Sequence, residues 1–236
     1  ARCGDRVRTA TQGAMSGEAP SYPKRLATGG MVATLGALAF GWLAMQLRDS
    51  GNLLAFDLAF ADALARALPP AVVQAAARLS RLGDPATLGV LGVVVGVVLL
   101  LRRQVGLMLG WAVALGGNGL LNPALKQIFS RMRPLQAVQG ASAEGFSFPS
   151  GHSSGTVVAF GMLAYLGLRL LPPRWHLAVL LVAMLLALGV GLSRIILRVH
   201  YASDVAAGFA SGTTWLAVCI TGIELGRWLR HRGRRS

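Results

Sequence analysis

Six apolar runs constrain this chain more than any other feature. They lie at about residues 27–47, 86–101, 105–125, 155–171, 177–196 and 205–223. Each is near or slightly below the ~20 residues that carry a helix across the hydrocarbon core of a bilayer. Inside that core only helices and closed barrels can satisfy their own backbone groups. The runs therefore predict an all-α, polytopic membrane protein with six transmembrane helices. Composition agrees, because 54% of the 236 residues are hydrophobic and only 14% are charged. Pairs such as Gly29-Gly30 and Gly116-Gly117 allow helices to approach closely in lipid.

The flanks and the first connection read differently. Residues 1–26 are polar, lack periodicity and contain Pro20 and Pro23, so a disordered cytoplasmic tail is expected there. The tail has no short apolar region followed by a cleavage site, so it does not read as a signal peptide, and Met15 is an alternative start. The membrane domain is expected over 27–223, with a basic cytoplasmic tail over 224–236. Residues 49–85 are neither a clean span nor a polar loop. Gln74, Arg78 and Arg81 recur opposite Val72, Ala76 and Leu79, a pattern that fits a helix in the membrane interface. Pro69-Pro70 separates it from a preceding short helix that holds Asp62 and Arg66. A helical hairpin packed on the bundle reads the same segment equally well.

The formal net charge of +14 would suit a nucleic-acid binder, but the basic residues fall between and beyond the apolar runs. They act as orientation signals instead. With the amino terminus inside, 14 of the 23 lysines and arginines are cytoplasmic. Segments 48–85, 126–154 and 194–204 then face outward. The two cysteines, Cys3 and Cys219, offer neither a disulfide framework nor a metal site.

Three outward clusters carry the chemistry. Ser193–Asp204 places two arginines, a histidine and an aspartate at a bilayer boundary, where charge is costly unless it has work to do. His200 and Asp204 are four apart, so a carboxylate can hold the imidazole. Lys126 and Arg133 share a face if the third helix runs through both, and Pro134 marks its exit. Taken alone, that pair reads better as snorkelling charge. Phe148–Ser154 opens the fourth span, where free N–H groups, serine hydroxyls and Gly151 can cradle a phosphate. His152 can there donate a proton to a leaving oxygen. By itself, this run also reads as a capped helix with an incidental histidine.

Together the clusters read K-x6-R-P, P-S-G-H and S-R-x5-H-x3-D, and at every position they resemble the signature of the type-2 phosphatidic acid phosphatase family. That family shares the signature with vanadium haloperoxidases and glucose-6-phosphatase. The resemblance implies that His200, held by Asp204, is a nucleophile forming a phosphohistidine. It implies that His152 is the general acid and later the base. Lys126, Arg133, Arg194, Ser150 and the Gly151 backbone would bind the phosphate oxygens. Arg131 and Arg198 have no role in the signature. Phosphoryl transfer needs charge neutralisation and in-line positioning, which three fixed cations supply without a metal or other cofactor.

The expected activity is hydrolysis of a membrane-lipid phosphate or diphosphate at the extracytoplasmic face of a bacterial inner membrane, with both termini cytoplasmic. Undecaprenyl diphosphate is the first expected substrate and phosphatidylglycerophosphate the second. The expected partners are that lipid and the bilayer, with no nucleic acid, and the sequence leaves the oligomeric state open. Transfer of the phosphoryl group to another acceptor uses the same residues. A vanadate-dependent haloperoxidase is disfavoured by the six spans, and a lipid transporter or scaffold by the complete set of site residues. Asn118 reads as interhelical glue, Glu144 as a solvated loop carboxylate, and Arg198 equally as a headgroup contact or a structural charge.

Overall fold

The computed structural model describes residues 22–49, 51–134 and 145–233. Among these residues all regular structure is helical. The order is α1 (Tyr22–Asp49), α2 (Gly51–Ala67), α3 (Pro70–Ser80), a 3-10 turn (Arg81–Gly83), α4 (Pro85–Leu101) and α5 (Val105–Phe129). After the segment 135–144 come α6 (Gly151–Leu170), a 3-10 turn (Pro173–Trp175), α7 (His176–Ile196) and α8 (Ala202–Arg232).

Local chemistry sets these boundaries. Pro70 and Pro85 sit in the first turns of α3 and α4. Their missing N–H groups have no helical partner at that position in any case. Ser130 ends α5 in the left-handed region, with φ 46°. Arg198 does the same just past α7, with φ 56°, turning the chain back after the last helical carbonyls.

Five helices are long and apolar enough to cross a membrane: α1, α5, α6, α7 and α8. The sixth expected span is α4, which at 17 residues is short. It reaches spanning length only together with α3, to which it is joined at a 46° bend. The termini also differ from expectation. Helix α1 starts at Tyr22, so residues 22–26 belong to the first span, because Pro23 is tolerated in a first helical turn. Residues 1–21 lie outside the described residues. Helix α8 continues to Arg232, so most of the expected basic tail is helical. It contains no proline, and its basic residues favour a helix C-terminus.

The core lies between α4, α5, α6 and α8, where Leu99, Trp111, Ala114, Val158, Met162 and Cys219 pack together. Two indoles, of the buried Trp111 and the partly buried Trp215, lock the helices by bonding to backbone. Trp111 Nε1 donates to Gly92 O at 2.8 Å and Trp215 Nε1 to Ala114 O at 2.9 Å. Large apolar side chains such as Val93, Leu101, Leu177 and Leu185 remain exposed on the outer faces, where lipid replaces water as their surroundings. Helix α6 is the most buried span and α1 the least.

Small residues let α6 lie against α8. A Cβ on Gly208 would come within 2.6 Å of Ser150 O, and one on Gly212 within 2.8 Å of Ser154 O. Of the two glycine pairs singled out in the sequence, one member each makes a close approach: Gly29 to Thr221 and Gly117 to Trp215. Helix α3 packs along α7, with Leu79 against Gly189. Between α1 and α4, α2 and α3 are therefore a pair of short helices docked on the bundle.

Candidate active site

The C-terminal ends of α5 and α7 and the N-terminal ends of α4, α6 and α8 meet at one end of the bundle, and this is where the polar groups gather. Most of them are buried, so each needs a partner or a purpose.

The chain after α7 forms the floor. Val199 N and His200 N both donate to Arg194 O, at 3.2 and 3.3 Å, folding residues 197–200 back over the helix end. His200 is 2% exposed. Its Nε2 lies 3.2 Å from Arg133 Nη1. Arginine can only donate, so Nε2 carries the lone pair and the ring proton sits on Nδ1. Nδ1 is 3.5 Å from Asp204 Oδ2, long for a hydrogen bond but aimed at the carboxylate. Burial is the largest influence on the imidazole and pulls its pKa down to about 4, against the opposing pull of Asp204. His200 is therefore a neutral imidazole at physiological pH, with its Nε2 lone pair turned toward the Arg133 guanidinium.

Asp204, at the third position of α8, is fully buried. Its Oδ2 accepts from Tyr201 N at 3.0 Å, closing the start of the helix, and a carboxylate suits that end of the helix dipole. Its Oδ1 accepts from Arg131 Nη1 at 2.6 Å.

Helix α6 supplies the opposite wall. Ser150 caps it, accepting from Ser153 N at 3.4 Å and from Ser153 Oγ at 3.0 Å. Ser150 N donates to Asp204 O at 3.0 Å, which ties the two helix starts together. Gly151 passes so close to Asn122 that an added Cβ would meet its Oδ1 at 2.9 Å. Asn122 in turn donates to Ser154 Oγ at 3.2 Å. His152 Nε2 lies 2.8 Å from Asp84 Oδ1. Asp84 occupies the cap position of α4 yet makes no capping bond; its carboxylate is turned to the histidine instead.

Three cations complete the site. Arg194 is 3% exposed and donates to Ser80 Oγ at 2.6 Å. Arg133 donates through Nη1 to Val199 O at 2.8 Å and through Nε to Gly145 O at 2.9 Å. Lys126 lies within electrostatic reach of Arg133, Arg194 and Asp204. The expected shared helical face of Lys126 and Arg133 does not exist, because α5 stops at Phe129. The left-handed Ser130 turns the chain, and Arg133 reaches the site from the following loop.

All eight site residues named from the sequence thus come to one end of the bundle. Sequence reasoning missed Asp57, Ser80, Asp84 and Ser203, which hold them there. It also gave Arg131 and Arg198 no partner. Arg198 pairs with Asp62 of α2, an ion pair that joins the turn after α7 to that helix. Asp57 and Asp62 are the two acids of a mostly apolar helix, and a carboxylate in such surroundings was the available signal. Glu144 lies outside the described residues.

A family model described as the PAP2 superfamily matches residues 105–227. The chain is 33% identical over 136 residues to phosphatidylglycerophosphatase B of Bacillus subtilis, covering 57% of this chain and 66% of that protein. It is 37% identical over 120 residues to lipid A 1-phosphatase of Rhizobium johnstonii, covering 47% of this chain and 44% of that one. The chain therefore spans just under two thirds and under half of these two relatives. A crystal structure of a transmembrane PAP2 type phosphatidylglycerolphosphate phosphatase from Bacillus subtilis superposes with a TM-score of 0.75 at 28% identity. That match covers 80% of this chain and 94% of the other.

Proposed function

Because this chain belongs to the PAP2 superfamily, we propose that it is a metal-independent lipid phosphatase working through a phosphohistidine at His200. The observation that carries this reading is the orientation of His200: lone pair on Nε2 facing Arg133, Asp204 behind Nδ1. A neutral, desolvated imidazole held in that way is a nucleophile before any substrate arrives.

In the proposed reaction, Lys126, Arg133 and Arg194, with Ser150 and the N–H groups at the start of α6, bind the phosphate oxygens. Nε2 attacks phosphorus and the bond to the lipid oxygen breaks. His152 gives that oxygen its proton, so the lipid leaves as an alcohol. Asp204 supports the positive charge that develops on the His200 ring. His152 then takes a proton from water, whose oxygen attacks phosphorus as the P–N bond breaks. Inorganic phosphate departs and both rings return to their starting states. The cations are fixed before reaction, the arrangement that contributes most to stabilising developing charge.

The relatives bear on the substrate. The Bacillus subtilis relative and the Bacillus subtilis crystal structure are both named for phosphatidylglycerophosphate, and the Rhizobium johnstonii relative for lipid A. These names support reading phosphatidylglycerophosphate as the first substrate of this chain and undecaprenyl diphosphate as the second, the reverse of the order expected from the sequence. The phosphate would be presented at the extracytoplasmic surface of the inner membrane with the acyl chains in the bilayer. Supporting this, Lys24, Arg25, Arg102, Arg103, Arg169 and Arg174 lie at the opposite ends of the spans from the site, where the positive-inside rule puts the cytoplasm.

The test is phosphate release by the purified protein in detergent with excess EDTA, across phosphatidylglycerophosphate, phosphatidate, lipid A phosphate and undecaprenyl diphosphate. Phosphatidylglycerophosphate should be hydrolysed fastest, with EDTA changing the rate by less than twofold. Loss of all activity in EDTA would overturn the metal-independent mechanism.

A further inference from the structure

We infer that Asp57 of α2 is a positioning residue for the nucleophile, acting through Arg131 on Asp204 and His200. Helix α2 precedes the family-matched region, which begins at residue 105, so part of the site's support comes from outside it. The inference rests on the phosphohistidine reading above.

The geometry forms a chain of fixed contacts. Asp57 is fully buried although it is an acid on a mostly apolar helix. Its Oδ1 accepts from Ser203 N at 3.0 Å, and its Oδ2 accepts from Ser203 Oγ and from Arg131 Nη2, the latter at 2.8 Å. Arg131 spends its other terminal nitrogen on Asp204 Oδ1 at 2.6 Å and Ser203 Oγ at 2.7 Å. The guanidinium lies over the Tyr201 ring, 4.1 Å from its centroid. Planar, forked and only 13% exposed, it is held in one orientation by these contacts. Arg131 thereby sets the plane of the Asp204 carboxylate, and that plane decides whether Oδ2 faces Tyr201 N and His200 Nδ1 or turns away from both.

Charge gives Asp57 a second role. If Arg131 faced Asp204 alone, the two would neutralise each other. The carboxylate would then have little charge left for the ring when His200 becomes cationic. With Asp57 on the other side, two carboxylates share one guanidinium and the buried cluster keeps a net charge of −1. That charge lies behind His200, opposite the incoming phosphate. A purely structural ion pair would need only one carboxylate.

The experiment compares Asp57→Asn, Arg131→Gln and the double variant with wild type, each purified as the full chain and assayed on one lipid phosphate. Asp57→Asn should lower kcat by about 10- to 100-fold, the range seen when outer-shell partners are lost, with KM within twofold. The double variant should lose much less than the product of the two single losses, because both act on one carboxylate. Wild-type kcat in Asp57→Asn, or a fall in kcat matched by a rise in KM, would overturn the inference. If Asp57→Asn does not fold, Ser203→Ala removes one bond to Asp57 and keeps every charge. It should still lower kcat with KM unchanged, and an unchanged kcat there would also overturn it. His200→Ala serves as the separate control. Inactive His200→Ala beside fully active Asp57→Asn rejects this inference alone, whereas active His200→Ala rejects the reading beneath it.

Discussion

At the scale of single residues, the proposed mechanism depends on keeping His200 neutral and aimed. Burial pulls its pKa to about 4, below the ordinary value near 6.5. The sign follows directly. The ring loses its lone pair only when protonated, so the acid limb due to His200 should fall near pH 4, not near 6.5. Single-turnover phosphoenzyme formation against pH measures this, and a limb near 6.5 would mean an exposed, unperturbed imidazole. Folding is linked to the same group. Between pH 6.5 and 4 the unfolded chain holds a proton that the folded one does not, so stability should decline as pH falls through that window. His152 presents a separate case, because Asp84 holds its ring at 2.8 Å. Asp84→Asn should keep a hydrogen bond to the ring and lose the charge. We expect kcat to fall by roughly 10-fold or more, part of the about 100- to 10,000-fold that a positioned general acid contributes, with phosphate-analogue binding retained. Steady-state kinetics beside vanadate inhibition would separate the two effects.

At the scale of elements, the site is assembled where helix ends meet, and the spacing between α6 and α8 controls that meeting. Gly208 lies under Ser150, where an added Cβ would sit 2.6 Å from a backbone oxygen that cannot move freely. Gly208→Ala should push the start of α6 from α8 and break the Ser150 N to Asp204 O bond. A cost of about 1–3 kcal/mol is the usual range for overpacking, readable as a lower unfolding temperature in detergent together with lost activity. The control is Gly222→Ala on the same helix, where nothing lies within 4 Å. It should leave both unchanged. The sequence made the spans legible because lipid imposes one length and one composition on them. It made the three clusters legible because their spacing is local. It did not show what holds the clusters, because Asp57, Ser80 and Asp84 lie 40 or more residues before Lys126 in the chain, in two short helices and at the cap of α4. Nor did it show that Ser130 ends α5, since a left-handed serine has no strong sequence signal. The docking of α2 became visible only when Asp57 and Asp62 were seen against Arg131 and Arg198.

At the scale of the whole molecule, the fold separates two populations of charge. One end of the bundle carries Lys126, Arg133 and Arg194, the cations proposed to bind phosphate, and the histidines His152 and His200. The other carries arginines paired around the buried Glu224, which accepts from Tyr165 and Arg169 and lies 3.7 Å from Arg25. This division supports a protein that faces the bilayer asymmetrically. A cysteine introduced at Gly145, in the loop beside Arg133, should react with an impermeant maleimide added to intact spheroplasts. One introduced at Arg174 should react only after the membrane is opened. The reverse pattern would invert the proposed orientation. The central claim is the covalent step at His200, and one measurement tests it directly. Acid-free quenching of the purified protein during turnover of lipid labelled with 32P in its terminal phosphate should give a protein-bound phosphate. That phosphate should be stable to alkali, labile to acid and located on His200, and it should be absent from His200→Ala. Full turnover with no labelled protein, or label that persists in His200→Ala, would contradict the account.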